Sequence, residues 1–191
     1  MEFVQTRDRK EVPENWVIVD ALADIILRNV KGCVVDIGMG ASTFVLRKHS
    51  KKHGRKHYSC DPNQRICDWA GQWGSTVFKG RSFDFMKQFD RSQKIALMFV
   101  DGAHIYEIVM EEVKFFLEQT TKGGVIFLHD TYPPEKWVCD KGKRGCGSVY
   151  KARQELEKRN DIQIYTFIYT AFDCGLTMIT KKEDNPIFCR S

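Results

Sequence analysis

Two rhythms of apolar and polar residues alternate along the chain. From Asn15 the spacing is helical: Ile18, Leu22, Ile25 and Ile26 share a face, with Asp20, Asp24 and Arg28 opposite. Lys31-Gly32 stops that helix, and Cys33 to Gly38 reads as a short buried strand. Gly38-Met39-Gly40-Ala41-Ser42 is a tight turn, and a helix resumes near Thr43. The alternation then repeats. His57 to Cys60 is a strand ending at Asp61-Pro62, followed by a helix over Gln64 to Trp73. Thr76 to Phe78 is a strand and Ser82 to Phe89 a helix. Ile95 to Val100 is the most apolar strand, bounded by Asp101-Gly102. Ile105, Ile108, Val109, Val113, Phe116 and Leu117 mark an amphipathic helix, which Gly123-Gly124 is expected to end. Val125 to Leu128 is the next strand and stops at His129-Asp130. A last helix carries Val149, Ala152 and Leu156, and Ile162 to Ala171 with Leu176 to Thr180 form an antiparallel hairpin at the sheet edge.

Short strands alternating with helices predict a parallel sheet covered on both faces. The strands lack strict two-residue alternation, as burial on both sides requires.

Composition narrows the class. With 191 residues, 42% of them hydrophobic, the chain holds one sizeable core, and residues 1–191 read as a single domain. No apolar run approaches the roughly 18 residues of a membrane span, and Met1 to Lys10 lacks a signal-peptide core. Seven cysteines, two of them (Cys33 and Cys60) in apolar runs, fit a reduced, cytoplasmic protein. Thirty Lys and Arg against 25 Asp and Glu leave a charge of +5, a faint pointer to an anionic partner.

Much of that charge lies between Arg47 and His57. As a helix end its cations complement the dipole and solvate the surface; as a patch they would take nucleic acid. The first reading is favoured, because few aromatics interleave to stack bases. Asp130-Thr131-Tyr132-Pro133-Pro134 resembles an amino-methylation motif only with its order scrambled. Cys139 and Cys146 are two thiols without the further ligands a zinc site needs.

In an open α/β sheet, ligands bind beyond the carboxyl ends of the strands. Four strands here end in polar punctuation: Asp36-x-Gly38-x-Gly40, Asp61, Asp101 and His129-Asp130. Glycines admit a ligand to the backbone, and the helix that follows offers free N–H groups. A dinucleotide site would continue the glycine pattern, but Thr43 stands in the third position. An acid two residues before Gly38 repels a pyrophosphate and suits an amine. Asp61, 21 residues beyond Gly40, suits the hydroxyls of a ribose.

Asp36-x-Gly38-x-Gly40 with Asp61 resembles the cofactor half of the class I S-adenosylmethionine (SAM)-dependent methyltransferases, over roughly residues 15 to 182. The resemblance implies a Rossmann-like three-layer sandwich: a mostly parallel seven-stranded sheet closed by a C-terminal antiparallel hairpin. It implies that Gly38, Gly40 and Ser42 line the methionyl part, Asp61 takes the ribose, and Ser82, after Lys79-Gly80-Arg81, flanks the adenine, with Asp101 completing the cofactor set.

Phe99 to Tyr106 and Gly123 to Asp130 are similar to a branch of small-molecule, often metal-dependent, O-methyltransferases. That likeness implies Asp101 and Asp130 as ligands of a divalent metal, Mg²⁺ or Mn²⁺, and His104 as the base. A hard cation wants carboxylate oxygens, and it acidifies a bound hydroxyl. His129 either joins the ligands, shifting preference from Mg²⁺ toward softer ions, or is structural with no metal bound. Without a ligand, Asp101 and His104 would be ordinary helix-entry residues.

The implied activity is transfer of a methyl group from SAM to a hydroxyl of a small molecule. Methylation of RNA or another nucleic acid, and a non-catalytic cofactor-binding module, are the alternatives. Acceptor recognition then falls to the N-terminal 14 residues, the basic 131–146 loop with Tyr132 and Trp137, which suits an anionic substrate, or a partner subunit in a homodimer.

Overall fold

The computed structural model describes residues 14–139, 145–168 and 174–182. Among the described residues, seven strands and seven helices follow in the order α1 (Glu14–Asn29), β1 (Cys33–Ile37), α2 (Ala41–Lys52), β2 (His57–Asp61), α3 (Gln64–Gln72), β3 (Thr76–Lys79) and α4 (Ser82–Gln88). They continue as β4 (Ile95–Val100), α5 (Tyr106–Gln119), β5 (Thr120–His129), α6 (Lys136–Cys139), α7 (Val149–Leu156), β6 (Ile162–Phe167) and β7 (Leu176–Lys181).

The strands form one sheet in the order β3-β2-β1-β4-β5-β7-β6. The first five are parallel, and β7 runs antiparallel to both β5 and β6. This is the Rossmann-like arrangement with a terminal hairpin. Chain order reverses between β1 and β4, so a crevice opens there at the carboxyl ends. The core lies on both faces. One cluster packs Val35, Ile37, Met98 and Ile126 against α4, α5 and α7; the other packs Val34, Leu97, Phe99 and Phe127 against α1 and α2. All six residues of β4 are buried, which is why its sequence carries no polar position.

Four expectations change. In α1 the buried face is Val19, Ala23, Ile26 and Leu27, while Ile25 is exposed. The cause is α2, which packs beside α1 and turns the Asp20–Asp24 side inward against its own basic side chains. Gly123-Gly124 does not end α5, which stops at Gln119; both glycines lie inside β5, where its pairing with β4 is irregular. Gly123 has φ +74°, and a Cβ on Gly124 would stand 2.8 Å from the Ile95 carbonyl oxygen, so glycine is required at both. The stretch expected to be all loop after Asp130 contains α6. Strand β6 ends at Phe167, and the expected extension through Ala171 runs beyond the described residues.

Residues 1–13 of the expected N-terminal arm, residues 140–144 of the expected substrate loop, and the side chain of Trp137 also lie outside the described residues. Among the described residues no helix is long and apolar enough to cross a membrane.

Candidate active site

Gly38 and Gly40 do different work. Gly38 has φ +82°, and a Cβ there would sit 2.1 Å from the Asp101 carbonyl oxygen, so this glycine lets the ends of β1 and β4 close on each other. Around Gly40 nothing lies within 4 Å of a Cβ, which leaves open space at the entrance of α2. The first turn of a helix leaves backbone N–H groups without helical partners, the kind of donor that can receive an anionic group.

Asp36 is fully buried. Its carboxylate accepts the Thr43 hydroxyl at 2.5 Å and the Ser42 hydroxyl at 3.5 Å, while Thr43 Oγ1 in turn accepts the Gly40 N–H at 2.9 Å. Thr43, noted in the sequence only as a missing glycine, is thus the residue that ties Asp36 to the turn. Burial, against those two hydroxyls, pushes the Asp36 carboxyl up to about 8. Ser42 is buried in this same network.

Asp61, at the end of β2, accepts the Met39 N–H at 3.0 Å and the Asn63 N–H at 2.7 Å. Each carboxylate oxygen keeps a further lone pair for a ligand. Gly80 donates to the Asp61 carbonyl at 3.1 Å, which brings Lys79-Gly80-Arg81-Ser82 to the same rim. Ser82 opens α4 beside Glu112, a fully buried carboxyl on α5 that burial pushes up to about 7. Glu112 belongs to no motif of the sequence and is absent from the apolar positions that mark α5.

Beyond β4 and β5, Asp101, His104, His129 and Asp130 meet. His104 Nε2 lies 3.3 Å from Asp101 Oδ1 and 3.3 Å from Asp130 Oδ2. His129 Nδ1 lies 3.3 Å from Asp101 Oδ1 and 3.3 Å from Asp130 Oδ1. Two carboxylates are therefore bracketed by two imidazoles. Burial raises the Asp101 carboxyl, but the bonds to His104 and His129 outweigh it and hold it at about 2. Asp130 has φ +59°, a left-handed conformation that Asp tolerates better than most residues.

His104 is fixed from its other side. Its Nδ1–H donates to the Gly145 carbonyl at 2.7 Å, so Nε2, facing two carboxylates, is the position that takes a proton or a metal ion. The bond to Asp101, helped by the Gly145 carbonyl and by Asp130 against burial, raises His104 to about 9. Gly147 (φ +55°) passes so close to His104 that a Cβ would stand 2.0 Å from its carbonyl oxygen, and Ser148 N–H donates to that oxygen at 3.0 Å. The 145–148 segment is therefore the support of His104, a contact 41 residues away in sequence that no local pattern reveals.

Trp16 was also missed. From the start of α1 it stacks on His129, ring centroids 5.6 Å apart and 16° from parallel, and it touches Phe99 as well. The Tyr132 ring lies under the Arg153 guanidinium, its centroid 5.1 Å from the guanidinium carbon, and Arg153 also donates to the Thr131 carbonyl at 3.0 Å.

Much of the Arg47–His57 run is engaged by α1, although Lys48, Lys51, Lys52 and Lys56 stay exposed. Lys48 and His49 contact Asp20, and Lys52 and His53 contact Asp24. Arg55 donates to the Leu27 and Val30 carbonyls at the end of α1. All six described cysteines (Cys33, Cys60, Cys67, Cys139, Cys146 and Cys174) are free thiols, with Cys139 and Cys146 sulfurs 3.7 Å apart.

The family described as "Methyltransferase domain" matches residues 35–131, which run from β1 to the residue after Asp130, and the chain belongs to that family. Solved structures share its fold. The O-methyltransferase from Bacillus cereus in complex with SAH superposes with a TM-score of 0.68 at 15% identity, covering 92% of this chain and 84% of that one. The O-methyltransferase TomG from Streptomyces achromogenes, in complex with SAM, gives 0.66 at 16% identity, with 92% and 83% covered. The SAH-bound Podospora anserina methyltransferase PaMTH1 gives 0.62 at 15%, with 91% and 99% covered. No curated protein sequence matches the chain.

Proposed function

We propose that the chain transfers a methyl group from SAM to a hydroxyl of a small molecule, in the crevice between the Gly40 turn and the Asp101–His104–Asp130 cluster. The observation that carries this reading is the cluster itself: two carboxylates and an imidazole converge at one rim of a methyltransferase fold, beside the open entrance of α2. That three of the structural relatives hold SAM or SAH supports the choice of donor.

In this reading Gly40 and the first turn of α2 receive the methionyl end, with Gly38, Asp36 and Ser42 shaping the turn. Asp61 accepts from the ribose hydroxyls, and Ser82 borders the adenine. Bound there, SAM supplies an electrophilic sulfonium methyl. The rest is positioning: the acceptor oxygen must lie in line with that methyl, and holding both partners in one crevice can supply much of the rate.

The donor set fits a divalent cation, because a carboxylate oxygen of Asp101 and one of Asp130 lie within 4.8 Å of each other, and His104 Nε2 beside them would stay free to act as the base. A cation bound there supplies charge: it acidifies the acceptor hydroxyl and relieves the field that keeps His104 protonated. His104 has a defined task in proton handling. Near neutral pH its Nε2 carries a proton held by two carboxylates, so as a base it acts from its neutral form, whose population grows as pH rises toward about 9. His129 lies against the same carboxylates and holds Trp16 at the mouth of the crevice, where Trp16 and Tyr132 offer aromatic walls to an acceptor.

Incubating the protein with methyl-labelled SAM and a panel of catechols, phenols and sugar alcohols, with and without Mg²⁺ or Mn²⁺, tests the assignment. Label transfer that His104→Gln reduces at least about a hundredfold is the expected result for a general base. Full turnover in that variant would remove His104 from the chemistry, and chelator-insensitive turnover would remove the metal.

A further inference from the structure

We propose a second, structural metal site, for Zn²⁺ or a similar first-row divalent ion, between α1 and α2, formed by Asp24, His49 and His53. It is separate from the methyl-transfer crevice and does not depend on that assignment. His49 lies in the last turn of α2 and His53 caps its end four residues on, and Asp20 and Asp24 are one turn apart on α1. The two helices lie side by side and present these faces to each other. One ligand atom from each of Asp24, His49 and His53 lies within 4.8 Å of the other two.

The orientation of His49 is the telling observation. Its side chain is 4% exposed, and Nε2 lies 2.8 Å from Asp20 Oδ1. A carboxylate only accepts, so Nε2 carries the hydrogen. That leaves Nδ1 as the ring's remaining nitrogen. It is buried without a hydrogen-bond partner and faces Asp24 Oδ1 at 3.4 Å. A positive centre, a proton or a metal ion, belongs between an imidazole nitrogen and a carboxylate oxygen that face each other at this distance. His53 Nε2 reaches the same Asp24 oxygen at 2.7 Å from the other side. Two imidazole nitrogens and one carboxylate oxygen thus converge, with Asp20 behind His49 as the acceptor that fixes its tautomer. Carboxylate, histidine and metal in that order is the usual support of a zinc-bound imidazole. Two nitrogens and one oxygen suit Zn²⁺, and water can complete a tetrahedron.

Binding exchanges one positive group for another. The ion takes the place of the proton on His53 Nε2, which moves to Nδ1 or leaves to solvent. Lys52, 2.8 Å from Asp24 Oδ1, must turn away; its side chain is half-exposed, and exposed ion pairs of this kind are easily given up. The filled site would clamp α1 to α2, and α1 carries Trp16 at its other end.

The test uses the whole protein, stripped of metal with a chelator and given Zn²⁺ alone. Crystals grown with one to two equivalents are measured at the zinc edge, while binding and thermal stability are followed in solution. The expected result is an anomalous peak about 2.0–2.1 Å from His49 Nδ1, His53 Nε2 and an Asp24 oxygen. His53→Ala should remove that peak, lower the stoichiometry by one, and abolish the rise in Tm that zinc gives the wild type. Asp20→Asn, which keeps all three ligands, should weaken binding by roughly 10–100-fold. The wild-type map needs no variant to fold. Zinc found only at Asp101, His104 and Asp130 or at the Cys139–Cys146 thiols overturns the proposal. So does unchanged stoichiometry and affinity in His53→Ala.

Discussion

Asp101→Asn in metal-free protein changes one charge at the centre of the site and should be read out on His104. The imidazole stands at about 9, against an ordinary value of 6.5, and its bond to Asp101 is the largest cause. That gap of about 2.5 units corresponds to about 3 kcal/mol favouring the protonated form at 1.36 kcal/mol per unit. Asn preserves shape but not charge, while Asp130 and the Gly145 carbonyl remain, so His104 should fall to roughly 7–8. Its ring signal in a pH-titrated NMR spectrum, assigned by its loss in His104→Gln, measures this directly. The sign carries over to stability. A group whose folded value is raised stabilises fully below its unfolded value and loses that contribution as pH rises through the folded one. The stability deficit of Asp101→Asn should therefore be about 1–2 kcal/mol near pH 6 and shrink toward zero above about pH 9. The acid limb lies lower: Asp101's own contribution is present above 3.8 and fades as pH falls through about 2. A His104 value that stays near 9 in the variant, or a deficit that does not vary with pH, would refute the coupling.

The glycines offer a paired test. Gly38→Ala should destabilise by at least about 3 kcal/mol in denaturant unfolding, because its Cβ meets the Asp101 carbonyl; Gly40→Ala should leave stability within about 1 kcal/mol but weaken donor binding in calorimetry. Removing the Trp16 ring should cost about 1–3 kcal/mol in thermal unfolding and reduce kcat/KM for the acceptor more than donor affinity, as expected if it walls the acceptor side. Addition of Mg²⁺ or Mn²⁺ should move the His104 titration down from about 9; an unmoved titration would argue against a cation at Asp101 and Asp130. Oligonucleotide binding should be weak, with a log K against log salt slope shallower than about −2, because the basic run is paired to Asp20 and Asp24. A slope near −5 or steeper would restore the nucleic-acid reading.

The sheet was legible in the sequence because buried parallel strands are uniformly apolar and end in polar residues; Ile95–Val100 is found where its pattern put it. The acidic rim was legible for the same reason, since carboxylates at strand ends have nowhere to go but the crevice. What the chain pattern hid depends on contacts between distant residues. Lys48 pairs with Asp20 across 28 positions, and neither position alone distinguishes a solvated charge from a helix–helix contact. The support of His104 by Gly145 and the stacking of Trp16 on His129 are of that kind too. Gly123-Gly124 shows a different limit: a glycine pair marks special backbone, but whether it ends a helix or bends a strand is decided by Ile95 on the neighbouring strand.

The central claim is that the Gly40 turn and Asp61 hold SAM for methyl transfer, and calorimetric titration with SAM and with SAH tests it most directly. Saturable binding is predicted, weakened by at least roughly 10–100-fold in Asp61→Asn, which removes the charge that accepts from the ribose hydroxyls and leaves one of the Met39 and Asn63 N–H groups facing an amide NH2. Absence of binding to the wild type up to about 1 mM of either ligand, weaker than about −4 kcal/mol, would contradict the account.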